Sequence, residues 1–344
     1  MNKQIDTIGF WIHLTDNCNL TCDYCYISTL KEKMIMSSNV IEQLIYKLNE
    51  VIRIHPNIKN ISLKLAGGEP LTKFHNWKNE IEKLIYIFKS QKINLNIRIL
   101  TNLTILDDEI IKYCIKNEIY FSVSLDGLDY YHNKYRKFKN GKGSFNIVKN
   151  NLFKLDQNKI KYSILVTISN YNLDGIVDLI KFLIRNKISF RLADAKGSNV
   201  DRNKIIKVLN ECYLLIKSDK NFDIKNKHVL CDLNIINESK YPCSMGISSG
   251  AIYTNGDIFF CHSQFGSKKI LGNLNDSEDL LEIIHKGLKF HSLSVECSNC
   301  NFKTICAGGC PLYRNNENKT PMCNVFKQVI PKIQDIIKFN IAKG

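Results

Sequence analysis

The 344-residue sequence has no uncharged apolar run approaching the roughly 18 to 20 residues that cross a bilayer, and its first residues lack a cleavable signal pattern ahead of Cys18. These absences exclude a helical membrane protein and predict a soluble, cytoplasmic chain with no membrane partner. Arginine-rich blocks are missing too. The 48 Lys+Arg against 33 Asp+Glu give a formal net charge of +15, but the lysines are spread along the chain among Asn and Ile. That spread argues against a dedicated nucleic-acid surface. There is no low-complexity tract, and no internal repeat beyond an alternation of strands and helices. With 44% apolar and 24% charged residues the composition is ordinary for a globular protein, and the length corresponds to about two domains.

What the sequence has in excess is cysteine. Thirteen cysteines are too many for a reducing compartment if they only fill core, because structural disulfides are rare there. Metal or redox chemistry is the expected use.

From residue 8 to about 195, short apolar runs alternate with amphipathic ones. Strands are expected at 8–14, 61–65, 93–100, 119–125, 162–168 and 188–192, and helices at 40–54, 77–88, 107–116, 145–155, 173–185 and 204–216. Six successive strand–helix units predict an α/β fold with a parallel sheet, either open or closed into a barrel, with ligands at the carboxyl ends of the strands. Beyond about residue 235 Gly and Ser become frequent, and seven of the thirteen cysteines fall between Cys243 and Cys323. A division into residues 1–235 and a metal-stapled region 236–344 with a C-terminal helix is expected.

The loop after the first strand reads Cys18-x3-Cys22-x2-Cys25. Three thiolates on one tight loop can hold three irons of a cubane cluster and leave the fourth without a protein ligand. Structural zinc needs a closed fourth position, and the nearest histidine, His13, lies back in the strand. With an aromatic residue, Tyr24, before the third cysteine, the loop resembles the signature of radical S-adenosylmethionine (SAM) enzymes. The resemblance implies a 4Fe-4S cluster that chelates SAM and cleaves it to a 5′-deoxyadenosyl radical. The second strand ends in Ala66-Gly67-Gly68-Glu69-Pro70, similar to that family's GGEP motif, in which glycines admit the ligand and the glutamate pairs with the SAM ammonium. Residues 122–127 resemble its SLDG stretch, which implies Ser124 beside SAM. Arg136, in an H-x3-R segment, is implied for the SAM carboxylate, and Tyr24, Tyr26 and Asn102 as further contacts. Each of these softer matches also reads as ordinary loop capping.

The remaining cysteines, Cys243, Cys261, Cys297, Cys300, Cys306, Cys310 and Cys323, resemble the SPASM extension of peptide- and protein-modifying radical SAM enzymes. By that pattern Cys297, Cys300, Cys306 and Cys323 hold one auxiliary 4Fe-4S cluster, and Cys243, Cys261 and Cys310 the other. Ser249 stands where some relatives have an eighth cysteine. The rival reading is a pair of zinc knuckles. Cys114 and Cys212 are expected to be buried in helices, with Cys231 a spare ligand. The implied fold is a partial (β/α)6 TIM-like barrel with a C-terminal cysteine-rich iron–sulfur (SPASM) domain.

The resemblance implies an oxidoreductase-type peptide maturase that forms a thioether or carbon–carbon crosslink, or an epimer, in a ribosomally made peptide (RiPP maturation). It also implies an external electron donor such as a flavodoxin or ferredoxin. Sulfatase maturases, which make formylglycine, are the alternative. They carry an aspartate base after the cysteine equivalent to Cys261, whereas this chain has His262, a candidate catalytic base or simply a loop histidine. Only 17 residues precede Cys18, so the leader-binding domain of many peptide maturases is expected to be absent, with recognition left to the barrel and SPASM face or to a separate leader-peptide-binding protein. A basic, zinc-binding nucleic-acid protein is the reading from another class; it gives GGEP no role.

Overall fold

The computed structural model describes residues 5–30, 33–197, 200–219, 233 and 238–341. Cys231 and the expected boundary at 235/236 lie outside them. In chain order the strands are β1 (Thr7–Thr15), β2 (Leu20–Cys22), β3 (Asn60–Gly67), β4 (Asn94–Thr101), β5 (Tyr120–Ser124), β6 (Arg136–Phe138), β7 (Tyr162–Ile168), β8 (Ser189–Asp194), β9 (Ser249–Ile252), β10 (Asp257–Phe259) and β11 (Ile270–Asn273). The helices are α1 (Ser38–Ile54), α2 (Phe74–Ser90), α3 (Asp108–Lys116), α4 (Asp129–Tyr135), α5 (Phe145–Gln157), α6 (Leu173–Arg185), α7 (Arg202–Ser218), α8 (Leu280–His285), α9 (Val295–Ser298), α10 (Lys303–Cys306) and α11 (Cys323–Ile341). All six expected strand–helix pairs are present. No described helix is long and apolar enough to cross a membrane.

One local device recurs at four helix-to-strand joints. Lys92, Glu118, Lys159 and Lys187 take left-handed φ values of 58°, 54°, 55° and 56°. After each, an isoleucine amide (Ile93, Ile119, Ile160 or Ile188) reaches back to a carbonyl in the last helical turn. Each of these isoleucines is buried. This is the Schellman pattern with its apolar contact, here achieved without glycine. At the other ends, Ser37, Asp107 and Asp201 cap α1, α3 and α7 through their side chains.

The chain forms two compact units. The first contains residues 1–122, 136–161 and 244–289; the second contains 123–135, 162–243 and 290–344. In the first, β1, β3 and β4 are parallel neighbours, with Phe10 opposite Leu63 and Leu63 opposite Ile97. Alternate residues of these strands are buried, so Phe10, Ile12, Leu63, Leu65, Ile97 and Ile99 form the core face. The far edge of β1 is covered by β9, also parallel, and β10 and β11 continue from it antiparallel. In the second unit β7 and β8 pair in parallel from Ser163–Ser189 to Ile168–Asp194. Helices α6, α7 and α11 bury Ile176, Leu179, Leu209, Val329 and Ile333, each such aliphatic side chain contributing about 1.5–3 kcal/mol.

Candidate active site

The cysteine loop is held open by a short ribbon. β2 pairs antiparallel with β6, setting Cys22 opposite Arg136. The Arg136 guanidinium then lies 3.8 Å from the Cys22 sulfur and 5.5 Å over the Tyr24 ring. The Cys18 sulfur accepts the Leu20 amide at 3.4 Å and the Asn102 side chain at 3.7 Å. Burial pushes the Cys18 thiol up to about 12, and the negative charges of Glu69, Cys22 and Cys25 add to it. Thiols held in one another's field, with N–H donors aimed at sulfur, are strained as free thiolates and suit ligation to a cationic iron–sulfur core. Among the described residues no three His, Cys, Asp or Glu side chains surround a single ion position; in a cubane, each thiolate binds its own iron.

The Gly-Gly turn closes directly onto this loop. A Cβ on Gly67 would lie 2.4 Å from the Thr15 carbonyl oxygen, and one on Gly68 2.5 Å from that of Asn17. The Gly68 and Glu69 amides donate to Thr15 and Asn17 at 2.7 and 2.8 Å. The close approach the glycines permit is therefore to the chain just before Cys18. Glu69 is fully buried. Its carboxylate accepts the Asn102 amide at 2.6 Å, the Thr101 hydroxyl at 2.8 Å and the Leu71 amide at 3.1 Å. Burial raises its pKa to about 7 against those three donors and the charge of Arg136. Of roughly four acceptor positions on a carboxylate, one stays open for a cation. Asn102 donates to Asn19 at 3.0 Å as well as to Cys18, so one residue ties the end of β4 to the cysteine loop. Tyr26 is exposed.

In the second unit Ser124 ends β5. The aspartate of the SLDG stretch is structural: Asp126 accepts the Thr167 amide at 2.8 Å, and its carbonyl takes the Asn172 side chain at 2.7 Å. Gly127 is required by contact, since a Cβ there would sit 2.5 Å from that of Tyr131.

One buried network was not anticipated. His13 bonds Asp16 at 2.7 Å, and the Tyr253 hydroxyl and Met34 amide donate to the other Asp16 oxygen at 2.6 and 3.0 Å. Burial works to raise Asp16, but these donors outweigh it and hold the carboxyl below its ordinary range. Burial, outweighing Asp16, keeps His13 neutral below its own. His13 is thus committed to Asp16 rather than to metal. Asp16→Ala is expected to strand the phenol and imidazole and cost about 3 kcal/mol, measured by urea unfolding. Because the Asp16 pKa is depressed, its contribution is present above the unfolded pKa and lost as pH falls.

His262 stacks on Trp11 at 3.8 Å between ring centroids, with Tyr26 at 5.8 Å. Its Nδ1 is 3.5 Å from the Cys261 sulfur. Burial raises the Cys261 thiol, but His262 and Ser263 outweigh it and bring the pKa to about 7. The imidazole is therefore engaged with a cysteine.

Among the described residues the cysteines are free of disulfides. Cys243, Cys297, Cys300, Cys306, Cys310 and Cys323 belong to the second unit and Cys261 to the first. Burial pushes Cys306 up to about 12, reinforced by Cys323 and Cys297 and opposed by the Gly308 and Gly309 amides. Cys323 is likewise raised by burial and by Cys297. Three members of the expected four-cysteine set thus share one field. Cys114 and Cys212 are buried, as expected, and burial pushes both thiols up to about 12.

Residues 12–183 match the model of the radical SAM superfamily. A cysteine-type anaerobic sulfatase-maturating enzyme of Clostridium novyi (strain NT) is 26% identical, covering 92% of both chains. The structure of native anSMEcpe with bound AdoMet and Cp18Cys peptide superposes with a TM-score of 0.78 at 18% identity, over 97% of this chain and 99% of that one. Streptococcus suis SuiB bound to precursor peptide SuiA gives a TM-score of 0.64 at 19% identity, over 90% and 75%.

Proposed function

Since the chain belongs to the radical SAM superfamily, we propose that it is a SPASM-type maturase that modifies a peptide or protein in the cytoplasm. The observation that carries the reading is the convergence, in one compact unit, of the Cys18–Cys22–Cys25 loop with Glu69, Asn102 and Arg136. In this proposal Cys18, Cys22 and Cys25 would hold a 4Fe-4S cluster, which would supply the electron for cleaving SAM to a 5′-deoxyadenosyl radical that takes a hydrogen atom from the substrate.

The chain's own residues bind and orient. Glu69 offers its remaining acceptor position to the SAM ammonium. Arg136 presents a cation to the SAM carboxylate while covering the Tyr24 ring. Gly67 and Gly68 let the end of β3 close onto the chain just before Cys18, and Tyr24, Tyr26 and Asn102 complete the SAM contacts. Ser124 is proposed from its motif alone. The seven cysteines of residues 236–344 would hold two auxiliary clusters, whose chemistry would be that of one-electron acceptors. An external flavodoxin or ferredoxin is the proposed source of the first electron.

Crosslinking or epimerisation of a ribosomally made peptide is favoured over formylglycine formation. At the position where the sulfatase-maturase pattern places an aspartate base, His262 is stacked on Trp11 and bonded to Cys261. Anaerobically reconstituted protein should contain about twelve irons, four for each cluster, and should release 5′-deoxyadenosine from SAM and dithionite. Absence of that product with full iron loading would refute the reading. Co-expressed candidate peptides, analysed by mass spectrometry, distinguish a crosslink, which removes two hydrogens, from an epimer, which leaves the mass unchanged.

A further inference from the structure

Between Cys306 and Cys310 the backbone takes three consecutive left-handed residues, Ala307, Gly308 and Gly309, at φ 46°, 74° and 68°. The Gly309 amide donates to the Cys306 carbonyl at 2.9 Å and the Ala307 amide to that of Lys303 at 3.1 Å, and the Gly308 and Gly309 amides lie close enough to Cys306 to oppose the rise of its pKa. The carbonyls are gathered by one side chain: Arg314 donates through Nη2 to Ala307 at 3.1 Å and Gly309 at 3.4 Å, and through Nε to Gly308 at 3.3 Å. Its Nη1 takes the Ser292 carbonyl. Side chains are shut out of the turn, since a Cβ on Gly309 would lie 2.5 Å from that of Thr320, and one on Gly308 2.8 Å from Leu293.

Four neutral carbonyls use the guanidinium's donors without cancelling its charge. The neighbouring Lys319 differs, being paired with Glu296 at 2.9 Å and Glu317 at 2.6 Å. Burial disfavours the Arg314 charge and lowers its pKa, while Cys297, Cys310, Cys306 and Cys243 lie close enough that their thiolate forms oppose this. They come from both halves of the expected ligand pattern: Cys297 and Cys306 from the four-cysteine set, Cys243 and Cys310 from the other. A fixed cation beside a cluster favours the reduced, more negative form.

We propose that Arg314 is a positioning residue for the auxiliary iron–sulfur centres: it holds the Ala307–Gly309 turn around Cys306 and sets the reduction potential on both sides of that turn. This rests on the maturase reading above, and the two fail differently. The test is an anaerobic redox titration of the reconstituted full chain, followed by electron paramagnetic resonance, for wild type, Arg314→Gln and Arg314→Lys. Arg314→Gln should move the auxiliary signals to lower potential by about 59 mV, a tenfold change in the reduced-to-oxidised ratio at fixed potential for a one-electron couple. The Cys18–Cys22–Cys25 cluster serves as the unshifted internal reference. Arg314→Lys keeps the charge but not the fork, and should shift less. Selective loss of auxiliary iron in Arg314→Gln, with the first cluster retained, also supports the role. Wild-type auxiliary potentials and full iron in both variants would overturn it. A wild-type protein that carries the first cluster alone would instead overturn the auxiliary-cluster reading, and the inference with it.

Discussion

Cys25→Ala is expected to leave a folded chain that makes no measurable 5′-deoxyadenosine, a loss of at least about a thousandfold, or roughly 4 kcal/mol in the barrier. The side chain is only partly buried and lies at the margin of the cluster formed by Ile27, Ala251, Tyr253, Phe259 and Phe265. Removing one sulfur there takes little from the core. It leaves two thiolates where three are needed to fix a cubane's orientation. Chromatography of the nucleoside product, with circular dichroism as the folding control, reads the result; retained turnover in a variant without the third thiolate would contradict the assignment of this loop. Cys114→Ala provides the contrast. That cysteine is buried in α3, and its loss should lower stability while leaving iron content untouched.

Glu69→Gln is the second large effect. The amide keeps the shape of the carboxylate but places an NH2 among three donors and removes the charge available to the SAM ammonium. Affinity for SAM should fall by about a hundredfold, or roughly 3 kcal/mol. The pH dependence separates charge from shape. Burial raises Glu69 from 4.5 to about 7, so the unliganded carboxyl is largely protonated at pH 6. An ammonium selects the ionised form, and SAM affinity should weaken about tenfold for each pH unit below 7. Binding near pH 6 should release a proton. The effect on folding runs in the same direction as the titration: the folded state holds this proton more tightly than the unfolded state. Its contribution to the unliganded chain is therefore fully present below 4.5 and lost as pH rises through about 7. Calorimetry between pH 5 and 8 checks both points, and the glutamine variant should show neither slope.

The fold was legible where structure follows local periodicity. Ile41, Leu44, Ile45 and Leu48 repeat with the helix and are buried, and the same holds for each crossover helix. The cysteine spacing and Gly67-Gly68-Glu69 were also legible, because ligand geometry constrains residues close in sequence. What was not legible is long-range. Asp16 and Tyr253 are 237 positions apart, and nothing in either neighbourhood announces the pair. β9 is four residues, Ser-Gly-Ala-Ile, buried throughout, so it shows no alternation to read. Glu69 was anticipated as a ligand group, but two of its three protein donors, Thr101 and Asn102, could be found only by bringing the end of β4 beside it. Arg314 follows Gly308-Gly309-Cys310 by a few residues, a spacing visible in the sequence whose meaning emerges from the left-handed turn.

The placement of β9 bears on how this protein can be cut and inherited. Gly9 to Ile12 of β1 lie beside Ser249 to Ile252, and a Cβ on Gly9 would sit 2.9 Å from the Ser249 hydroxyl oxygen. A chain ended at the sequence change near residue 235 would strip that partner away and leave β1 with a bare row of amides and carbonyls, an edge prone to pair with other molecules. The N-terminal half is thus not a cassette that can be exchanged between proteins while the rest is left behind. Its first strand is finished by residues encoded more than two hundred codons downstream, and recombination within that interval would have to preserve both partners of the seam.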